Sequence, residues 1–116
     1  MTPNQLATLN RNGDATEEQI NDLACATMRV ARIAARVACK ERRIRQADIE
    51  DVVQLATLKA MERVKTWEIE RSSWTTFVSV IAKSAIADQG RRYLKENRLH
   101  STARENIEIW ERIDQT

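Results

Sequence analysis

The chain has 116 residues, of which 42% are hydrophobic, only two are glycine and one is proline. This length suits a single domain, and the scarcity of turn-forming residues favours helices over a sheet. The 19 basic and 17 acidic residues leave a net charge of only +2. The total charge therefore does not mark a nucleic-acid-binding protein, although a local patch of one sign can still create a binding field.

The sequence lacks the residues that several classes of protein need for their chemistry. The only histidine, His100, lies in a predicted linker, and neither a Gly-rich phosphate loop nor an acidic cluster with metal-ligand spacing is evident. We therefore expect no enzymatic activity and no cofactor. Cys25 and Cys39 are not spaced as metal ligands and are expected to be reduced thiols. Without a recognisable signal peptide or membrane span, the sequence predicts a cytoplasmic protein.

The first 15 residues are polar and are expected to form a flexible tail. The first predicted helix runs from Thr16 to Gln46, and Thr16 with Gln19 forms a capping box at its start. At 100° per residue, one face of this helix is apolar and rich in alanine, so a neighbouring helix can approach it closely. That face comprises Ile20, Leu23, Ala24, Thr27, Val30, Ala31, Ala34, Val37 and Ala38.

The second predicted helix runs from Asp48, its expected N-cap, to Trp67, and it carries two apolar stripes. The stripe expected to face the core contains Ile49, Val52, Val53, Ala56, Ala60, Val64 and Trp67. The other stripe contains Leu55, Leu58 and Met61, interleaved with Asp51, Gln54, Glu62 and Lys65. One neighbouring helix cannot bury both stripes. The second is therefore covered either by another helix of the bundle or by a partner protein, for which apolar groups bordered by polar ones are typical.

The third predicted helix runs from Ser72 or Ser73 to Asn97. Its inner side carries Trp74, Phe77, Val78, Ile81, Ala82 and Ala85. Its outer side is small, polar and basic, with Thr76, Ser79, Val80, Lys83, Ser84, Ala87 and Arg91, and the basic run continues through Arg92, Lys95 and Arg98. Short side chains let a nucleic-acid strand approach the backbone, and the cations can neutralise phosphates. The two aromatic residues at the helix start can either pack in the core or stack on unpaired bases.

A short fourth helix is predicted from Ser101 or Thr102, where Thr102 and Glu105 form another capping box. The predicted organisation is a tail over residues 1–15, a helical domain over 16–98 and a C-terminal short helix over 99–116. The expected fold class is all-α, a compact bundle of three to four helices.

The stretch from Asp48 to Arg98 resembles region 2 of the sigma-70 family, particularly the short extracytoplasmic-function type. The segment Ile49–Val64 resembles region 2.2, and Trp74–Arg98 resembles regions 2.3 and 2.4. The resemblance rests on two aromatics three residues apart, an Ile-Ala step and an Ala-x-Asp-x-x-Arg-Arg ending. Those residues are Trp74, Phe77, Ile81, Ala82, Ala87, Asp88, Arg91 and Arg92. The first helix would then correspond to regions 1.2 and 2.1, and the bundle would be of the sigma-70 region 2 type.

In this family, region 2.2 docks on the coiled coil of the β′ subunit of bacterial RNA polymerase. The resemblance and the second apolar stripe together give the candidate polymerase-binding residues Asp51, Gln54, Leu55, Leu58, Met61 and Glu62. The chain departs from the family pattern at Leu55, since an acidic residue usually follows the region 2.2 glutamine. We therefore expect polymerase binding that is weaker, altered or directed at another partner.

Regions 2.3 and 2.4 of the family melt and read the promoter −10 element on the non-template strand. The corresponding candidate DNA-binding residues are Trp74, Phe77, Ser79, Lys83, Ala87, Arg91, Arg92 and Lys95. In such factors the loop before this helix cradles a flipped base, and that loop corresponds here to residues 67–73.

The leading hypothesis is a transcription-initiation subunit that provides only the region 2 function at the nucleoid. No second helix-turn-helix follows, so −35 recognition would come from a second protein, as in split sigma factors or phage-type activators. A chain that is a fragment of a longer protein fits the sequence as well. Two alternatives stay open: a polymerase-binding regulator or decoy that does not open DNA, and a plain duplex DNA-binding module.

Overall fold

The computed structural model of the protein describes the backbone of residues 1–114 and the side chains of residues 1–96. Four α-helices follow one another: α1 (Pro3–Arg11), α2 (Glu17–Lys40), α3 (Ile49–Glu62) and α4 (Trp74–Asp114). Short 3-10 turns at Gln46–Asp48 and Val64–Thr66 flank α3. The predicted all-α bundle is confirmed, and no strand occurs within residues 1–114. None of the helices in this part of the chain is both long and apolar enough to cross a bilayer.

The expectation of a flexible tail over residues 1–15 is wrong, because this segment contains α1. Thr2 and Gln5 form a reciprocal capping box: the Thr2 hydroxyl accepts from the Gln5 N–H at 3.2 Å, and the Thr2 N–H donates to Oε1 of Gln5 at 2.9 Å. Pro3 occupies the first turn, where its missing N–H costs nothing. Only Leu6 and Ala7 are buried, so the helix is too short and too polar to stand out by periodicity.

The start of α2 is confirmed, but its end differs from the prediction. Thr16 and Gln19 form the expected capping box. The helix ends at Lys40 rather than at Gln46, because Arg42 adopts a left-handed conformation with φ of 60°. The Arg43 N–H then donates to the carbonyl of Ala38 at 2.9 Å, which closes the helix. Glycine normally occupies such a position, so an arginine there does not mark the end of a helix in the sequence.

The core lies where α2, α3 and α4 meet. Buried alanines on α2 and α3 allow close approach of the two backbones, and larger side chains fill the remaining space. From α2 the buried residues are Leu23, Thr27, Ala31, Ala35 and Ala38; from α3, Val52, Val53, Ala56 and Ala60; and from α4, Trp74, Val78, Ile81, Ala82, Ala85 and Ile86. An exposed ion pair between Arg32 and Glu50, at 3.0 Å, also joins α2 to α3.

Two buried tryptophans connect the segment before α4 to this core. Trp67 and Trp74 pack edge to face, with ring centroids 5.6 Å apart and an interplanar angle of 87°. The indole N–H of Trp74 donates to the hydroxyl of Thr27 at 2.9 Å, and that of Trp67 donates to the carbonyl of Ser72 at 3.0 Å. Both indole donors are therefore satisfied within the fold.

Asp48 occupies the N-cap position of α3 as predicted, but its side chain does not cap the helix. It ends the 3-10 turn, and it makes no side-chain capping bond to α3. Its buried carboxylate instead accepts from the backbone N–H and the guanidinium of Arg45, and from Nε2 of Gln89 at 3.1 Å. The carboxylate therefore joins the α2–α3 connection to α4. The second helix also ends earlier than predicted, at Glu62 rather than Trp67.

The backbone of α4 is one continuous helix of 41 residues, about 60 Å long at 1.5 Å per residue. The expected break between Asn97 and Ser101, followed by a separate short helix to residue 116, does not occur. Neither glycine nor proline lies in that stretch to stop the helix. The side chains of Thr102 and Glu105, predicted to form a capping box there, lie outside the described residues.

The bond between Trp74 and Thr27 leads to the first prediction. Thr27→Val keeps the shape of the buried side chain but leaves the Trp74 indole N–H without its partner. We expect the free energy of unfolding to fall by about 1–3 kcal/mol, measured by urea denaturation. Thr57→Val is the matched control. Like the Thr27 hydroxyl, the Thr57 hydroxyl donates to the backbone carbonyl four residues earlier, at 2.7 Å, but it accepts from no indole N–H. Equal losses in the two variants would contradict the assigned role of the indole bond.

A second prediction concerns acid stability. Hydrogen bonds from Arg45 lower the pKa of Asp48 below its usual value. A lowered folded-state pKa stabilises the fold above the unfolded value of about 4, and this contribution is lost as the pH falls below it. We expect Asp48→Asn to lower the free energy of unfolding at pH 7. The difference in this free energy between the variant and the wild type should become smaller below about pH 4. Denaturant titrations between pH 7 and pH values below about 4 test this prediction. A difference in the free energy of unfolding that does not change with pH would contradict it.

Candidate functional site

The outer face of α3 carries an exposed apolar stripe. The side chains of Leu55 and Leu58 are 40% and 58% exposed, while Met61 is half-buried against the core. The stripe is thus exposed at two of its three predicted members. The polar residues predicted to border it, Asp51, Gln54 and Glu62, are all exposed. We call Asp51, Gln54, Leu55, Leu58 and Glu62 the α3 stripe.

Trp74 does not lie on the surface. It is fully buried at the first turn of α4, as its alternative interpretation as a core residue predicts, so its ring is not accessible to a base in this conformation. Phe77 is half-buried and packs on Trp74 with ring centroids 5.2 Å apart. Only Phe77 of this aromatic pair is partly accessible.

The start of α4 is capped by two residues, one of them distant in sequence. The Ser73 hydroxyl accepts from the Thr76 N–H at 3.2 Å, as an N-cap residue does. The Trp74 N–H donates to Oδ1 of Asn4 at 2.7 Å, so α1 holds the first turn of α4. Sequence reasoning missed Asn4, and only the capping box of α1 could have indicated that a helix was available there.

The loop between α3 and α4, residues 67–73, is held at both ends and exposed in the middle. Trp67 is buried, whereas Ile69 is 48% exposed. The Arg71 N–H donates to the Glu68 carbonyl at 3.1 Å, and an ion pair of 3.1 Å joins the two side chains. The loop therefore offers one exposed apolar side chain beside charged groups.

A cleft of about 320 Å³ lies between α2 and α4. It is mainly apolar, and Lys83 and Arg43 provide its positive charge. We call it the α2/α4 cleft, and its lining residues are Val30, Ile33, Ala34, Val37, Arg43, Thr75, Ser79, Lys83 and Ile86. Ile33 and Val37, 66% and 47% exposed, are large apolar groups on its rim. Ser79 and Lys83 are thus the candidate DNA-binding residues that the fold brings to an open cleft.

The remaining basic candidates of α4 follow the same helix beyond the cleft. Ala87, Arg91, Arg92 and Lys95 are all exposed. Arg91 forms an ion pair with Asp88 of its own helix. Such an exposed pair contributes little and leaves the guanidinium able to turn towards an anion. The basic run is therefore a solvated surface continuous with the α2/α4 cleft.

The described side chains form two exposed surfaces on opposite parts of the helical domain. Within residues 1–96, no three His, Cys, Asp or Glu side chains come together as metal ligands would. Cys25 and Cys39 are both free thiols. The arrangement as a whole presents an apolar stripe on α3 and, separately, a basic cleft beside α4.

The sequence model of the family described as Sigma-70 region 2 matches residues 27–96. Since the match covers more than half of the chain, the protein belongs to this family. The matched segment contains most of α2, all of α3 and the part of α4 that carries the basic surface. Membership gives the chain a sigma-factor-like role related to RNA polymerase and promoter DNA. No curated protein and no solved structure matches the chain significantly.

Proposed function

We propose that the protein is a transcription-initiation factor that binds the β′ coiled coil of bacterial RNA polymerase and recognises and melts a promoter −10 element. The observation that carries the proposal is the presence of two separate exposed surfaces within one region 2 domain. The α3 stripe suits a protein helix, and the α2/α4 cleft with its basic extension suits a nucleic-acid strand. A factor that brings DNA to a polymerase needs both surfaces free at once.

The α3 stripe supports polymerase docking through the arrangement of its exposed residues. Leu55 and Leu58 lie one turn apart and provide apolar area, and Gln54 and Asp51 beside them can fix the register of a partner helix. Fully burying a leucine contributes about 1.5–3 kcal/mol. Two such residues at the centre of an interface, with a polar rim, match the usual distribution of binding energy. The half-buried Met61 contributes an edge of the same surface.

The DNA surface proposed from the fold differs from the one expected from sequence. Trp74 supports the start of α4 from within, so stacking on an unpaired base falls to the half-buried Phe77 and to the loop over residues 67–73. Ser79, Lys83, Ala87, Arg91, Arg92 and Lys95 would follow the non-template strand. Stacking contributes about 1–3 kcal/mol per base, which can offset the unpairing of a base by a few kcal/mol.

The remaining parts of the proposal concern setting and partners. The protein would act at the nucleoid in the cytoplasm as a binding factor without enzymatic activity. Recognition of a −35 element would come from a separate protein that supplies the region 4 function.

The burial of Trp74 favours one alternative. A regulator or decoy would occupy the polymerase through the α3 stripe without opening DNA, and it would have no need of an exposed aromatic at the start of α4. Fork-junction and single-stranded −10 DNA, bound with and without core RNA polymerase, separate the two functions. No contribution of the protein to DNA binding would favour the decoy.

The polymerase surface is tested by Leu58→Asp. Burying a carboxylate against an apolar partner is costly, so we expect affinity for core RNA polymerase to fall at least about tenfold, or 1.4 kcal/mol. Gln54→Ala should produce a smaller loss. Val80→Asp is the matched control, because Val80 is an apolar residue of similar exposure on α4. Titration calorimetry with core polymerase, and circular dichroism to confirm folding, provide the measurements. Unchanged affinity of both α3 variants would refute the docking face.

The DNA surface is tested by Lys83→Glu and Arg91→Glu. Reversing either charge should weaken binding of −10 DNA in the presence of core polymerase, and should lower transcription, because each variant replaces a phosphate contact with repulsion. Association with polymerase should stay at the wild-type level. Arg11→Glu, an exposed charge reversal at the end of α1, is the control. Loss of polymerase association in the α4 variants would instead place the polymerase interface on α4.

A further inference from the structure

The helix α4 continues well past the bundle. Among the described side chains, its last contacts with the other elements are at Tyr93 and Glu96: the Arg45 guanidinium lies 4.9 Å from the centroid of the Tyr93 ring and pairs with Glu96 at 3.8 Å. The backbone helix then runs on through residues 97–114, which is about 27 Å at 1.5 Å per residue. The molecule is accordingly 74 Å long but only 23 by 22 Å across. We call residues 97–114 the α4 extension.

The sequence of the α4 extension carries an apolar stripe at helical spacing. Its members are three or four residues apart, which places them on one face of a helix. They are Leu99, Ala103, Ile107, Trp110 and Ile113. At 100° per residue, three of them share one sector of about 40° with three buried core residues of α4. These six residues are Leu99, Ala103 and Trp110 of the stripe and Trp74, Ile81 and Ala85 of the core. The side of α4 that packs in the bundle therefore stays apolar along the part that extends beyond it.

The charge of α4 changes sign along the same stretch. Residues 91–98 contain four basic residues and one acidic residue, a net charge of +3, whereas residues 105–114 contain four acidic residues and one basic residue, a net charge of −3. We call these two ranges the basic segment and the acidic segment. Opposite charges come together when two such helices pair in opposite directions, and like charges come together when they pair in the same direction. The charge distribution therefore favours an antiparallel pair.

The stripe is also complementary to itself. Leu99 and Ile107 each lie four residues from Ala103, and the two charged segments lie on either side of it. A two-fold interface requires this property, because the same surface is presented by both partners. The small side chain of alanine at the centre allows two helices to approach closely, and helices in proteins owe most of their stability to the packing of an apolar face.

We propose that the α4 extension pairs with that of a second copy of the chain, as an antiparallel two-helix coiled coil centred near Ala103. In this arrangement Leu99 of one copy and Ile107 of the other come to the same level of the pair. The acidic segment of each copy lies along the basic segment of its partner, which fixes the direction of pairing.

Pairing of this kind also covers residues that the proposed function assigns to DNA. Arg91, Arg92 and Lys95 lie in the basic segment, so the acidic segment of the second copy competes there with phosphate groups. The paired form is therefore closed to the −10 strand, and DNA binding favours the single chain. This consequence rests on the proposed function, whereas the pairing itself does not.

Sedimentation equilibrium of the full chain over a concentration series tests the pairing. The average mass should rise from 13.4 kDa towards twice that value. Leu99→Ala with Ile107→Ala truncates the stripe while alanine keeps the helix favourable, so the dissociation constant of the pair should rise at least about tenfold. Leu94→Ala is the matched control, because Leu94 is apolar, 58% exposed and on the opposite side of α4 from the stripe. Circular dichroism confirms that each variant is folded.

The direction of pairing is tested by Glu108→Lys with Glu111→Lys. In an antiparallel pair this change replaces attraction by repulsion, so the dissociation constant should rise at least about tenfold. In a parallel pair each segment faces its own copy, and repulsion between carboxylates is exchanged for repulsion between lysines, which leaves the affinity unchanged. Added salt should weaken the wild-type pair, because it screens the attraction between the two segments.

Two outcomes overturn the pairing: a wild-type mass of 13.4 kDa at every concentration, and association of the Leu99 and Ile107 double variant as tight as that of the wild type. Unchanged affinity in the lysine variant overturns the antiparallel direction.

The competition with DNA has a separate measurement. Single-stranded −10 DNA with core RNA polymerase should shift the wild type from the paired to the single form, and the Leu99 and Ile107 double variant should bind this DNA at least as tightly as the wild type. A pair that is insensitive to DNA overturns the competition and leaves the pairing intact. Absence of DNA binding by the dissociated double variant overturns the proposed function alone.

Discussion

The burial of Trp74 at the first turn of α4 is the constraint on which the rest of the arrangement depends. This one residue contacts three parts of the chain: its ring donates to Thr27 of α2 and packs on Trp67 before the loop, and its backbone N–H donates to Asn4 of α1. The direction in which α4 leaves the bundle is therefore fixed from all sides. The α2/α4 cleft lies along these two helices, so its shape follows from this anchor.

The two proposed interfaces are separated by the core rather than by a linker. The buried residues of α3 face α2 and α4, which leaves Leu55 and Leu58 on the far side. The basic residues of α4 occur on the side that the core does not use. Such a division lets one small domain hold a polymerase helix and a DNA strand without competition between them.

Periodicity and capping predicted the elements that bury a long apolar face, and resemblance to the sigma-70 family predicted the all-α fold and the family. The predictions were wrong where tertiary contacts determine the local structure. The helix α1 buries only Leu6 and Ala7, so its pattern was too weak to recognise. The end of α2 depends on a left-handed arginine, which no sequence rule anticipates. Trp74 showed an inward position in the helical pattern, but only the coordinates distinguish a core indole from a base-stacking one. The roles of the α3 stripe and of the basic residues stay predictions.

The edge-to-face packing of Trp67 and Trp74 has an optical consequence. Both indoles are buried, with ring centroids 5.6 Å apart, so in a variant with Trp110→Phe, the third tryptophan of the chain, their fluorescence reports on whether α4 is seated at its first turn. Any event that lifts either ring into water would shift its emission to longer wavelength. The chain thus carries a pair of intrinsic reporters beside the loop over residues 67–73, and a displacement of the first turn of α4 can be followed in real time without an attached dye.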